Sequence, residues 1–372
     1  MKRVIPEDIP DFDGSIDFLI NDFLAVKDFD DIKCVEMKNL LFRNDLFSSV
    51  ELYTISRAIQ KFYYKNKKWM DNYRNSILND TNQNARSFTF ELVSAFYATI
   101  DKRQKVDLCS VSQEGCDWRI EKNNITMNVS CKKLGYSEDY LEYKALCSKL
   151  FEELHEKCKN KNIDHFFCIC SNEYDQQVKK EISILGDKFD PTNSFPQVIF
   201  HKQPRIISCL SENVDKHPFR ADIYCKFPLK EQKRFNKLLG KAAKNMKKYF
   251  QDQINIIFIN IPVYVSMNEA EKWLVGNFKS RYSTISAVII NRNTLVKSDG
   301  KWDVLNEYKF VPNPKNIFLN TIPNIELGFL FGKYSFNDSI SIFNFYGSTY
   351  DMSDSYHYGY EVNKPNPEFI LL

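Results

Sequence analysis

Gly115-Cys116-Asp117-Trp118-Arg119-Ile120-Glu121-Lys122-Asn123-Asn124-Ile125-Thr126-Met127-Asn128-Val129-Ser130-Cys131-Lys132-Lys133-Leu134 is the stretch whose reading decides the fold. Two runs of strand-like composition flank Glu121-Lys122-Asn123-Asn124, which has turn chemistry, so a β-hairpin is expected. Side chains alternate faces along a strand. On the second run Ile125, Met127, Val129 and Cys131 share an apolar face, and Thr126, Asn128, Ser130 and Lys132 share the other. On the first run Asp117 and Arg119 share one face. The hairpin is therefore expected to bring Asp117, Ser130 and Lys132 together at a sheet edge.

Working outward, a helix is expected over Ser87 to Ile100, with Phe88, Leu92, Phe96 and Ile100 on one stripe. Glu91 lies on a neighbouring stripe with Ala95 and Ala98, whose small side chains would let that face approach a sheet. Strand-like runs follow at Val106–Val111, Cys116–Glu121 and Ile125–Lys132. A helix is then expected over about Glu138 to Asn160 and a strand at His165–Cys170. This order points to an α/β domain with a mixed sheet. Residues 171–227 are broken by Pro191, Pro196, Pro204 and Pro218 and read as an insertion. Alternation resumes with helix Lys230–Phe250, strand Ile254–Ile259, helix Glu269–Phe278 and strand Ile285–Ile290. The expected organisation is thus a helical region over 1–85, an α/β core over 86–300, and a β-rich extension over 301–372.

The order F-x-x-E-L-x-x-A on a helix, G-x-D, and a strand ending S-C-K-K-L resembles the PD-(D/E)xK nuclease superfamily, which has the restriction-endonuclease-like fold. The matching residues are Glu91, Asp117, and Ser130-Cys131-Lys132, and the likeness covers about 86–170. It extends more weakly to Lys241-Ala242-Ala243-Lys244-Asn245-Met246 and the strand after it. The resemblance implies a phosphodiester hydrolase of restriction or genome-defence type. It also implies Asp117 and Glu91 as ligands of Mg²⁺ (or Mn²⁺), and Lys132 as the group that positions or deprotonates the attacking water. Oxygen ligands suit such ions. One departure matters: the family usually carries Glu, Asp or Gln where this chain has Ser130. Three readings stay open. Ser130 coordinates weakly; a carboxylate of the following helix (Glu138, Asp139 or Glu142) replaces the missing one, with Glu142 taken as the third metal residue; or the site is silent and the fold serves nucleic-acid or protein binding.

The 372 residues carry 51 Lys+Arg against 48 Asp+Glu, a net charge of +3. That balance excludes a polycation that binds nucleic acid by bulk charge, so any such binding needs a local basic face. The helix expected over 230–250 supplies one. Lys230, Lys233, Arg234, Lys237, Lys241, Lys244 and Lys248 recur at three- and four-residue spacing, beside an apolar stripe of Phe235, Leu238, Leu239, Ala242, Met246 and Tyr249. Such a ridge suits phosphate backbones, DNA first and RNA as the alternative. Double-strand cleavage would call for a homodimer. No apolar run approaches a membrane span and the N-terminus is not a secretory signal, so a cytoplasmic protein with reduced thiols and no membrane partner is expected.

Overall fold

A computed structural model describes residues 11–361 except 44–45, 80–82, 111, 113–114, 159–164, 174, 191, 193–196, 201–204, 211–219, 227–229, 251, 263, 279–281, 299–300, 330–331, 336–340 and 345–357. The chain divides into two compact units. The first comprises 1–134, 235–351 and 368–372; the second comprises 135–234 and 352–367.

Helices α1 (Phe12–Asp17), α2 (Val35–Phe42), α3 (Leu46–Phe62), α4 (Lys67–Asn79) and α5 (Gln83–Tyr97) open the first unit, with a π-helical stretch at Phe18–Leu24. The hairpin follows as expected. It comprises β1 (Lys105–Leu108), β2 (Trp118–Lys122) and β3 (Ile125–Lys133), antiparallel in that order. Lys122 pairs directly with Ile125, so the loop is two residues long. Asn123 and Asn124 have φ of 54° and 63°, the left-handed conformation that a two-residue hairpin needs and that Asn tolerates.

In the second unit lie α6 (Glu138–Cys158), β4 (His165–Glu173), α7 (Gln176–Ser183), α8 (Leu185–Lys188), β5 (Gln197–Phe200), β6 (Arg205–Leu210) and β7 (Arg220–Lys226). The division between the units falls within α9 (Lys230–Tyr249). Next come β8 (Ile254–Asn260), α10 (Met267–Phe278), β9 (Ala287–Ser298) and β10 (Lys301–Pro312). The last strands are β11 (Glu326–Phe329), β12 (Gly332–Ser335), β13 (Ser341–Asn344) and β14 (Tyr358–Glu361).

The main sheet is mixed and has seven strands in the order β1-β2-β3-β8-β9-β10-β13. The β3–β8 and β8–β9 pairs are parallel and the rest antiparallel. Helices flank it on both sides. Trp118, Met127, Val129, Cys131, Ile256, Phe258 and Tyr308 share one core with Leu92 and Ala95 of α5 and with the N-terminal helices. The 1–85 helices therefore do not form a separate body; they cover one face of the sheet. On the other face Lys309 reaches Asn268 and Glu271 of α10, and Phe235 of α9 meets Trp273 of α10 edge-on. All seven residues of β8 are buried, as expected of a parallel strand covered on both sides.

Two features depart from the sequence reading. The strand at His165–Glu173 is not part of the mixed sheet that holds β1–β3. It belongs to a separate five-stranded sheet, β14-β7-β4-β6-β5, and β8 takes the place beside β3. The second unit accordingly starts at Gly135, well before the insertion expected at 171. The segment after 301 is no appendage either, since β10 pairs along twelve residues with β9.

Phe258 ties the first unit together, with ring contacts to Phe90 of α5, Trp118 of β2 and Tyr308 of β10. Phe258→Ala should destabilise the protein by about 3–5 kcal/mol. Urea denaturation should show the loss as a lower midpoint with an unchanged slope.

Candidate functional site

Asp117 precedes β2 and is fixed by its backbone: its N–H donates to Val129 O (2.8 Å), and its own carbonyl accepts from Cys109 N (2.9 Å). Its side chain then turns onto β3. Asp117 Oδ2 accepts from the backbone N–H of Cys131 and from Ser130 Oγ at 3.3 Å. Lys132 Nζ donates to Ser130 Oγ (2.9 Å) and to the Cys131 carbonyl (2.6 Å), and lies 3.7 Å from Asp117 Oδ2. The expected convergence of Asp117, Ser130 and Lys132 is present. The Asp117 and Lys132 side chains keep 22% and 24% of their exposure, so a solute can reach them.

Glu91 enters from α5, which packs on β3. Its turn of helix is anchored by Ser94, whose hydroxyl donates to the Glu91 carbonyl (3.0 Å) and contacts Cys131 Sγ (3.1 Å). Trp118 Nε1 donates into the same Ser94–Cys131 pair at 3.0 Å. Burial, and then the negative charge of Asp117, push the Glu91 carboxyl up to about 8, with Lys132 acting against both.

The other predicted positions fare differently. Glu138, Asp139 and Glu142 lie on α6 in the second unit, where Glu142 forms an ion pair with Lys179. Its carboxylate is already matched by a cation. Arg234 is likewise engaged: it binds Glu231 at 2.6 Å and the carbonyls of Gly135 and Tyr136. Lys233, Lys237, Lys241, Lys244 and Lys248 are exposed on α9, while Phe235, Leu239, Ala242 and Met246 are buried. Lys248 lies over the Tyr249 ring. The ridge helix touches the loop before Asp117. At Gly115, which has φ +84°, a Cβ would come within 3.3 Å of the Asn245 carbonyl group, so both the conformation and the contact require glycine.

Two further polar groups flank the site. Asn128 is fully buried and links Arg119 Nε (2.9 Å), Gln253 (2.7 Å) and Asn255. Its place on the polar face of β3 was legible and Arg119 faces it from β2; Gln253 and Asn255 come from β8 and the segment before it, far along the chain. Lys133 lies on the opposite face from Lys132, and burial pushes it down to about 8 against the opposing pull of Glu51.

As a cation site, the fit rests on donor chemistry. Asp117, Glu91 and the Ser130 hydroxyl offer oxygens, which suit a hard divalent ion, and the mutual repulsion of two carboxylates is what such a charge would relieve. The count is low: among the described residues no group of three or more His, Cys, Asp and Glu side chains gathers as a metal site. Among the same residues no helix is long and apolar enough to cross a membrane. The chain matches no protein-family profile, no curated protein and no solved structure.

The Glu91 shift fixes a pH dependence. Between its ordinary value near 4.5 and about 8 the folded chain holds a proton that the unfolded chain has lost. Stability therefore falls as pH rises through that window. Glu91→Gln should flatten this slope: its melting temperature should match wild type near pH 4 and exceed it by a few degrees at pH 9, measured by differential scanning calorimetry.

Proposed function

We propose that this chain is a metal-dependent phosphodiesterase acting on DNA, built on a restriction-endonuclease-like core and serving restriction or genome defence. The observation that carries the reading is the convergence of Lys132, Ser130 and Asp117, with Glu91 coupled to them electrostatically. Asp117 and Glu91 would hold Mg²⁺ or Mn²⁺. Bound there, the ion would acidify a water and offset charge on the scissile phosphate. Lys132 would orient the attacking water and assist loss of its proton, and its ammonium would face the developing charge on phosphate. Ser130 holds Lys132 to Asp117 and stands where a third carboxylate would otherwise be. The exposed lysines of α9 would track the strand by its phosphates, without reading sequence.

A second reading, a silent member of this fold that binds nucleic acid or protein, is favoured by the same Ser130 and by a Glu91 that keeps its proton at neutral pH. Supercoiled plasmid incubated with Mg²⁺ or Mn²⁺ separates the two. The enzyme reading expects nicking, reduced by about 10²–10⁴-fold in Lys132→Ala. Absence of cleavage with every metal, together with a melting temperature indifferent to metal, would establish the silent reading instead.

The ridge gives an independent measurement. Replacing Lys237, Lys241 and Lys244 by Ala should weaken DNA binding regardless of sequence. It should also reduce the slope of log K against log salt by about 0.9 for each phosphate that the variant no longer neutralises. An unchanged slope in fluorescence anisotropy titrations would remove α9 from the interface.

A further inference from the structure

Cys109 and Cys116 bracket the loop that leads into Asp117, and their sulfurs are 2.7 Å apart. Both residues are buried, at 6% and 1% exposure, in a small cluster with Phe250. The backbone holds them together: Cys109 N donates to Asp117 O, so Cys109 stands across from Asp117 and next to Cys116 on the extension of the β1–β2 ladder. Neighbours across an antiparallel ladder come close enough for side-chain bonding. The sulfur separation is a short step from the ~2.05 Å of a disulfide bond.

The two thiols differ in access. Cys109 lines a cavity of about 560 Å³ together with Lys65, Lys67, Lys68, Ser110 and Ser112. Lys65 is paired with Asp107, while Lys67 and Lys68 are exposed. An anionic solute is thus favoured in the space beside Cys109. Cys116 is turned inward, its thiol 3.3 Å from the Trp118 carbonyl.

We propose that Cys109 and Cys116 are a redox modification site, closed to a disulfide by a small anionic disulfide such as oxidised glutathione. The contact between the two sulfurs, with burial, pushes the Cys109 thiol up and the same contact lowers Cys116, so the charge of the pair rests on Cys116 until the Cys109 proton crosses the contact. Cys109, then the thiolate and the sulfur beside the cavity, attacks one sulfur of the oxidant; a Cys109–glutathione bond forms and one glutathione leaves as thiolate. The Cys116 sulfur then displaces the second glutathione from Cys109. Two protein thiols are oxidised, one glutathione disulfide is reduced to two glutathiones, and two protons pass from protein to products. The product is a covalent ring from Cys109 to Cys116, ending one residue before Asp117. This inference stands on the thiol geometry and is independent of whether the chain cuts DNA.

The test uses the full chain, treated with oxidised glutathione, alkylated, digested and read by mass spectrometry. The expected result is a peptide pair joined through Cys109 and Cys116 and lighter by two hydrogens. Alkylation of these two thiols should drop by about tenfold, and dithiothreitol should restore it. In Cys116→Ser, glutathione should remain attached to Cys109, because the resolving sulfur is gone. Equal alkylation of both thiols before and after treatment would overturn the proposal. So would oxidation that joins either one to a different cysteine, or attachment of glutathione to Cys116 in Cys109→Ser with none on Cys109 in Cys116→Ser.

Discussion

Strand β3 has a neighbour on each side and cover on each face, and the first unit is built around satisfying it. Its backbone pairs with β2 on one side and β8 on the other. Asn128 and Ser130 are buried, and Lys132 is half-buried. Three polar side chains in succession on one face of an interior strand are costly unless each finds a partner. Asn128 finds Arg119 and Gln253, Ser130 finds Asp117, and Lys132 finds Ser130, the Cys131 carbonyl and Asp117. The polar site is the way this strand avoids orphaned groups, and the order of residues along β3 places it at the strand's end.

The opposite face of the same strand fixes Glu91. Cys131 and Val129 pack in the core with α5, and the Trp118–Ser94–Cys131 contacts pin the turn of α5 that carries Glu91. Packing on the apolar face and chemistry on the polar face are therefore two consequences of one register. A slip by one residue would exchange them.

Local sequence made part of this legible. The hairpin followed from alternation and from an Asn-Asn turn, and the meeting of Asp117 with Ser130 and Lys132 followed from period-two arithmetic on strands only two residues apart. What depended on distant pairing was not legible. HFFCIC reads as a buried strand, but nothing in it says whether it pairs with β3 or builds a second sheet; a continuous apolar run fits either. β8 beside β3 brings Ile254 to Met127 across more than a hundred residues. The same limit applies to charges. The family resemblance suggested Glu142 as a third ligand, and the spacing of the basic ridge suggested Arg234 as a phosphate contact. Lys179, the partner of Glu142, and the carbonyls of Gly135 and Tyr136 that Arg234 meets are brought by tertiary packing within the second unit, whereas Glu231, three residues before Arg234 on the same helix, is a local partner.

The electrostatics of the cluster give Ser130 a physical sense. Burial and Asp117 already push Glu91 up to about 8. A third carboxylate in place of Ser130, within hydrogen-bond reach of Asp117, would add like charge to a region where one carboxyl already keeps its proton. A hydroxyl instead donates to Asp117 and accepts from Lys132, so it joins an anion to a cation and adds no charge. With no third carboxylate present, the proton on Glu91 and any divalent cation would compete for the same oxygens. Occupancy by the cation would release that proton. Lys132, held by Ser130 and the Cys131 carbonyl, lies beside Asp117 as its counter-charge.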